Sequence, residues 1–249
     1  MAKKLGHAYK VHKLQLGTLG MEKGLMTYFV DYGKDLSADW PIMFFYIEGP
    51  EEKILVDTGG PAELNNKFWF GGKDIRTFEE ALTSVNLKPE DIDVIIATHF
   101  MFDHMLNAQK CPNARIYVQE EELKFAYSPH PIIAGCYSTS YLRDLKFIPI
   151  RGEQEIVPGI RVFPSPGHSP GTQSVAVETK DGLAVITGFC CIEENFTECP
   201  EPFKDAWNNI IPIGIHMDAA KAWESMNRVK GLADIIIPSH GMKVPDVIG

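Results

Sequence analysis

Residues 98–104, Thr-His-Phe-Met-Phe-Asp-His, constrain the fold of this chain more than any other stretch. They place two histidines and an aspartate within six residues, directly after the apolar run 93–97. A short run of valine, isoleucine and alanine predicts a buried strand, so these polar residues fall in the loop at its end. Imidazole and carboxylate together are ligands that zinc, iron or manganese takes in proteins. The segment therefore predicts a metal site at the end of a central strand.

Three further strand-like runs end in residues that can join this site. Asp57 follows the run 54–56, and His240 follows the run 235–237. His168 lies in a tight loop rich in proline and glycine. Histidines at separated strand ends can share an ion only if the sheets bring those ends together. Asp57 is expected to fix a ligand histidine or a loop rather than bind metal itself. The remaining histidines are expected to be surface or hydrogen-bonded residues: His7, His12, His130 and His216.

The rest of the chain alternates short strand-like runs with helical stretches. The predicted strands are residues 8–11, 14–16, 43–48, 53–57, 94–97, 115–118, 160–164, 173–178, 183–187 and 234–237. The predicted helices are residues 78–85, 89–92, 120–126 and 217–229, and residues 28–41 read as an excursion between strands. Two β-rich halves that both carry helices predict an α/β (α+β) sandwich, with two mixed sheets face to face and helices outside. Without internal repeats or a low-complexity linker, residues 1–249 are expected to form a single domain.

Composition and charge exclude several classes of protein. A hydrophobic share of 45% and a charged share of 23% are those of a soluble globular protein. The net charge is −9, which disfavours nucleic acid and anionic membrane surfaces as partners. A secretory signal is not expected, and the sequence contains no apolar run of about 20 residues. Five cysteines without regular spacing indicate reduced thiols in a cytoplasmic protein.

The motifs resemble those of the metallo-β-lactamase superfamily. Residues 99–104 match its H-x-H-x-D-H signature, except that Met101 takes the position of the second histidine. The phrases at 54–59, 166–171 and 194–196 are shared in the same order, and the N-acyl homoserine lactonase type is the most similar. The resemblance implies an αββα sandwich with a metal site at the mouth between the sheets, and a homodimer. Typical members hold two metals and use a bridging hydroxide to attack an ester, lactone, amide or thioester carbonyl.

The resemblance also implies two metal subsites, one of which is incomplete. The first would take His99, the position of Met101, and His168, and the second Asp103, His104 and His240. The bridging aspartate of the family falls on Phe189. Neither a thioether nor a phenyl ring is a good ligand for a hard divalent ion. The tyrosine that lactonases carry a few residues later has no counterpart in residues 190–193.

Counting ligands favours one divalent ion, with zinc preferred and iron or manganese as alternatives. Asp103, His104 and His240 with one open position form the usual layout of a catalytic zinc site. His99 or His168 can then act as the catalytic base or orient the carbonyl, and Asp103 can act as the base in place of binding the metal. A variant of this scheme places His99 and His168 around a shifted ion together with Asp103 or His104. Cys190 and Cys191 either replace the lost carboxylate as ligands or are small core residues.

Several apolar side chains are expected near the site. Phe100, Met101, Phe102 and Phe189 either pack the loop or form a dry wall for an apolar or aromatic small-molecule substrate. The aromatic segment 67–72 is a candidate lid. Tyr137, Tyr141 and Trp207 are further candidate pocket residues, although core packing or a dimer contact would explain the same aromatic side chains.

Three functions follow from these residues. The preferred one is a metal-dependent hydrolase of a small ester, lactone or amide, acting through a single metal-bound hydroxide. A second is a metal-free or retooled enzyme, such as a lyase or isomerase, that uses the histidines as acid and base. The third is a non-catalytic protein that binds a ligand on the same scaffold. Chelation separates them, because only the first loses turnover when the metal is removed.

Overall fold

The computed structural model describes residues 6–63 and 71–249, whose strands form two sheets. The strands are β1 (Lys10–Glu22), β2 (Ser37–Glu48), β3 (Ile54–Val56), β4 (Gly72–Asp74), β5 (Val94–Ile96), β6 (Arg115–Gln119), β7 (Lys146–Ile150), β8 (Gln154–Val157), β9 (Ile160–Pro164), β10 (Gln173–Thr179), β11 (Gly182–Ile186), β12 (Ile235–Ile237) and β13 (Val247–Ile248). The first sheet has the order β13-β1-β2-β3-β5-β6-β7, with β4 also paired to β1, and the second has the order β12-β11-β10-β9-β8. Both sheets are mixed, because β3-β5-β6-β7 and β11-β12 are parallel neighbours while the other pairs are antiparallel.

The central strands are buried on both faces, and this sets the layers. In β3, Ile54 and Val56 face the core between the sheets, whereas Leu55 faces the core on the outer side of the first sheet. Side chains alternate in this way because successive residues of a strand point to opposite faces. The inner core also takes Val175 and Val177 from β10, so both sheets contribute to it.

Helices cover the outer faces of the two sheets. They are α1 (Phe78–Thr83), α2 (Phe102–Met105), α3 (Glu120–Tyr127), α4 (Glu194–Thr197), α5 (Glu201–Lys204) and α6 (Ala219–Leu232). Ala222, Met226 and Val229 recur at helical spacing in α6 and join the core on the outer side of the second sheet. The predicted αββα sandwich is therefore confirmed. None of the helices in the described part of the chain has the length and apolar character needed to cross a bilayer.

Some predicted elements differ from those observed. The runs 8–11 and 14–16 belong to one long strand, β1, whose pairing with β2 shifts register between Gln15 and Gly17. Residues 37–41, predicted to be part of an excursion, already belong to β2. Residues 89–92 form a short 3₁₀ turn at Pro89–Asp91 rather than an α-helix. All five cysteines are free, as predicted.

Candidate metal centre

The two sheets bring the predicted ligands to one place. Asp103 and His104 lie on α2, just after the loop that follows β5, while His168 and His240 come from loops of the second sheet. The ring of His99 lies 3.9 Å from that of His104 and 4.7 Å from that of His168, measured between centroids. The rings of His104 and His240 are 5.6 Å apart. All five residues therefore line one buried cluster.

Asp103, His104 and His240 form the tightest group. One ligand atom from each lies within 4.8 Å of the other two, and it is the only such group of three that the described residues contain. Asp103 Oδ2 is 3.7 Å from His104 Nε2 and 3.8 Å from His240 Nε2. One carboxylate oxygen and two ring nitrogens thus converge on a common point.

Hydrogen bonds on the far side of each ring orient these nitrogens. His104 Nδ1 donates to Asp57 Oδ2 at 2.7 Å, and His240 Nδ1 donates to the carbonyl of Pro41 at 2.9 Å. Since Nδ1 carries the proton in both neutral rings, Nε2 presents a lone pair to the cluster. Histidine ligands are commonly held by such outer hydrogen bonds. The donor set present here therefore fits a divalent metal ion.

Asp57 is positioned to hold His104, as the sequence predicts. Its backbone has a φ of 60° directly after β3, and its carboxylate also accepts the backbone N–H and the hydroxyl of Thr98, each at 2.7 Å. Three donors therefore fix one carboxylate. The result ties the end of β3 to the loop that carries His99.

His99 and His168 form a second, smaller group. Their Nε2 atoms are 3.2 Å apart. His168 Nδ1 donates to the carbonyl of Ile215 at 2.8 Å, and His99 Nδ1 is 3.1 Å from the hydroxyl of Thr98, whose own proton goes to Asp57. In the neutral ring His168 Nε2 is therefore an acceptor, and a proton on His99 Nε2 completes the hydrogen bond between the two rings. A cation could replace that proton.

Burial and neighbouring charges set the protonation of the cluster. Burial, with repulsion from the other three histidines, lowers the pKa of His99 well below its usual value, and burial lowers the pKa of His168 to about 4. Burial also lowers the pKa of His240. Burial opposes the charged form of His104 too, but the carboxylates of Asp103 and Asp57 raise its pKa overall. His99, His168 and His240 are thus held neutral, the form that binds metal.

Glu122 connects the loop that carries His99 with the loop that carries His168. This buried carboxylate on α3 accepts the backbone N–H of Phe100 and the hydroxyl of Tyr137, each at 3.0 Å, and the hydroxyl of Ser169 at 2.5 Å. Burial raises the pKa of Glu122, although these hydrogen bonds favour the ionised form. Phe100 follows His99 and Ser169 follows His168, so Glu122 holds both ligand loops. The sequence does not reveal this role.

Only two of the four apolar side chains that the sequence places at the site mouth lie there. Met101 and Phe102 line the cavity beside the cluster. Phe100 and Phe189 do not, which corrects the prediction of a site mouth formed by all four side chains. Phe100 packs on the outer side of the first sheet, and Phe189 packs in the core beneath α6. Tyr137, Tyr141 and Trp207 are likewise not among the lining residues that the structure describes.

The two cysteines after Phe189 point in different directions. Cys190 lines the cavity, and its thiol lies 3.4 Å from the sulfur of Met26. Cys191 Sγ is 3.1 Å from the hydroxyl of Thr187. Burial raises the pKa of Cys190 well above its usual value and that of Cys191 to about 12. Neither belongs to the converging group of ligands, and the neutral thiols are those of core residues.

A cavity of about 270 Å³ opens onto the cluster. Its walls are largely apolar, with contributions from Leu19, Met21, Leu25, Ile132, Ile133 and Met217. Lysine and arginine are absent from the lining that the described residues form. His216 lies on this wall, although the sequence predicts only a surface or hydrogen-bonded residue there, and no motif surrounds it. Of the candidate lid, residues 67–70 lie outside the described residues.

Comparison with known proteins gives the family. Residues 39–188 match the model of the metallo-beta-lactamase superfamily. The N-acyl homoserine lactonase of Bacillus cereus is 32% identical over 207 residues, which cover 76% of this chain and 75% of that protein. An N-acyl homoserine lactonase from a Bacillus species is 31% identical over 205 residues, which cover 77% of this chain and 76% of the relative.

Solved structures agree with these relatives. A mutant lactonase of B. thuringiensis with N-decanoyl-L-homoserine at its active site has a TM-score of 0.73 and 26% identity, and covers 94% of both chains. An N-acyl homoserine lactone hydrolase with N-hexanoyl-L-homoserine bound at its catalytic metal centre gives the same TM-score, identity and coverage. The chain therefore belongs to the metallo-beta-lactamase superfamily, in the branch of metal-dependent hydrolases that contains the N-acyl homoserine lactonases.

Proposed function

We propose that this protein hydrolyses a small, uncharged lactone or ester with one divalent ion, preferably zinc, held by Asp103, His104 and His240. Iron and manganese are the alternatives. The observation that carries the proposal is the convergence of these three ligand atoms within 4.8 Å, with both rings oriented from outside the cluster. Three protein ligands with one open position are the usual layout of a catalytic rather than a structural metal.

Each part of the cluster has a role in this proposal. A divalent ion held there would polarise the substrate carbonyl and lower the pKa of a coordinated water to about 7. His99 and His168 lie beside the three ligands, and a neutral ring of this pair can accept a proton from the attacking water or orient the carbonyl. Asp103, whose carboxylate also borders the cavity, is the alternative proton acceptor only in place of its role as a ligand.

The cavity supports the choice of substrate. Its apolar wall suits an acyl chain or an aromatic group, and the described lining holds no lysine or arginine that would pair with a free carboxylate. The relatives named above act on N-acyl homoserine lactones, which combine an apolar acyl chain with an uncharged lactone ring. A small lactone of this chemical type is therefore the first substrate to test.

Metal content and turnover should be measured together. We expect about one ion per chain by plasma mass spectrometry, in protein purified without chelator or a nickel column. Asp103→Asn and His240→Ala should lose the ion and the hydrolysis of lactones and esters, because only two ligands remain. His12→Ala is the matched control, since His12 hydrogen-bonds to Glu48 on β2 and should change neither quantity.

Three outcomes contradict the proposal. One is a metal content near zero that stays there after incubation with zinc, iron or manganese. Another is turnover that survives chelation but disappears in His99→Ala or His168→Ala, which would indicate metal-free acid and base catalysis. The third, ligand binding without turnover of any ester, lactone or amide, would instead indicate a binding protein.

A further inference from the structure

His216 borders the cavity but lies outside the converging group of ligands. It sits in the segment between α5 and α6 and is half-buried. Its backbone neighbour Ile215 accepts the hydrogen bond from His168, so this segment is packed directly against the ligand loop. Among the imidazoles that line the cavity in the described structure, His216 is the one that the proposed metal site leaves unused.

The ring of His216 is held in one orientation. Nδ1 donates to the carbonyl of Ile213 at 2.9 Å, so Nε2 is the nitrogen left for another partner. The ring also packs against that of Tyr28, with centroids 5.4 Å apart. Tyr28 has a φ of 27°, a strained conformation for a bulky residue, and its ring contacts Phe29 and Trp207. Such strain persists where the surroundings impose it, often at functional sites.

The other hydrogen-bonding side chains of the cavity are poor proton donors. Burial raises the pKa of Cys136 to about 11, and Cys190 is still more strongly shifted, so both remain neutral thiols. Thiols are weak hydrogen-bond donors. Tyrosine, lysine and arginine do not occur in the lining that the structure describes. On the side of the cavity away from the ligands, His216 is therefore the one side chain of the described lining whose free ring nitrogen, once protonated, can donate strongly to a substrate oxygen.

We propose that His216 protonates the leaving oxygen of the substrate, a role that rests on the hydrolase function proposed above. The water oxygen forms a bond to the acyl carbon, and the bond from that carbon to the alcohol oxygen breaks. The electron pair of the broken bond goes to the alcohol oxygen, which takes a proton from Nε2 of the imidazolium form of His216, the form in which Nδ1 keeps its hydrogen bond to Ile213 and Nε2 carries the second proton. The proton that the water releases restores the imidazolium. Acyl group, alcohol and water are thus balanced without any further reactant.

A pair of esters with the same acyl group tests this role. A simple alkyl ester needs its leaving oxygen protonated, whereas a p-nitrophenyl ester does not, because nitrophenolate is a stable anion. His216→Gln keeps an N–H donor but cannot transfer a proton. We expect it to lower kcat/KM for the alkyl ester about 100-fold, mostly through kcat, while the nitrophenyl ester changes little. Added imidazole should restore alkyl ester turnover in His216→Ala.

The controls separate this role from a structural one and from the proposed function. The metal content of both His216 variants should equal that of the wild type, and His12→Ala should treat the two esters alike. Equal losses on both esters, or no loss on either, would overturn the role of His216 while leaving the hydrolase intact. Wild-type protein that hydrolyses no ester or lactone overturns the hydrolase function itself, and the role of His216 with it.

Discussion

The proposed ligand residues could be picked out one by one in the sequence because each lies in a short motif at the end of a strand. Asp57 was predictable for the same reason. Glu122 and His216 were not, since their roles depend on contacts between segments distant in the chain: Glu122 accepts from Ser169, 47 residues away. The sequence also could not show whether Phe189 or Cys190 faces the cavity. Neighbouring residues in a turn point in different directions, so a shift of one residue moves a side chain from the core to the cavity.

The position of Cys190 at the cavity leads to a prediction about the incomplete first metal subsite. Met101 and Cys190 both line the cavity, so Met101→His with Cys190→Asp would add an imidazole and a carboxylate beside His99 and His168. We expect this double variant to bind about two ions per chain, since the first subsite then has enough ligands for a second metal. Plasma mass spectrometry after reconstitution with zinc measures the change.

Met101→His with Phe189→Asp is the matched comparison. Phe189 is fully buried among apolar side chains beneath α6, so a carboxylate there has no partner and should destabilise the fold. This variant should unfold at a lower temperature and gain no second ion. A second ion in this variant, and none in the Cys190→Asp double variant, would show that Phe189 is the position that faces the site.

At the level of elements, the strands and helices with a clear apolar pattern were predictable, and most strands at the edges of the sheets were not. The edge strands β7, β8 and β13 were missed, whereas the edge strand β12, a run of three isoleucines, was predicted. The reason is plainest for β7 and β8. Each has exposed polar residues, and Pro149 interrupts the β-like pattern of β7, which is tolerated because an edge strand needs fewer ladder hydrogen bonds. The hydrophobic pattern alone therefore predicts strands most accurately in the centre of a sheet.

A prediction for the helix α3 follows from Glu122, the one side chain through which this helix supports two loops. Glu122→Gln keeps the shape of Glu122 but replaces one accepting oxygen with an NH₂ group. At least one of its buried donors is then left without an acceptor. We expect the free energy of unfolding to fall by about 1–3 kcal/mol, measured by urea denaturation.

Glu121→Gln is the control, because Glu121 is the neighbouring residue on the exposed side of α3. It should leave stability unchanged within about 0.5 kcal/mol. Equal stability of Glu122→Gln and the wild type would mean that Glu122 is protonated in the folded protein, since an amide reproduces the hydrogen bonds of a neutral carboxyl group.

At the scale of the whole molecule, the site joins the two sheets. Asp103 and His104 follow β5 of the first sheet and His240 follows β12 of the second, while the inner core packs the two sheets together. The single domain and the homodimer both stay predictions. A metal held by both sheets resists their separation, so it should bind the folded chain far better than the unfolded one.

Metal should therefore raise the stability of the entire chain. At a free zinc concentration 100 times Kd, binding adds about 2.7 kcal/mol, which corresponds to a rise in Tm of about 5–10 °C for a protein of this size. Calorimetry of metal-free protein with and without zinc measures this shift. His240→Ala removes the ligand from the second sheet and should show almost none of it. An equal shift in this variant would place the stabilising ion elsewhere, because the remaining ligands of the proposed centre belong to the first sheet alone.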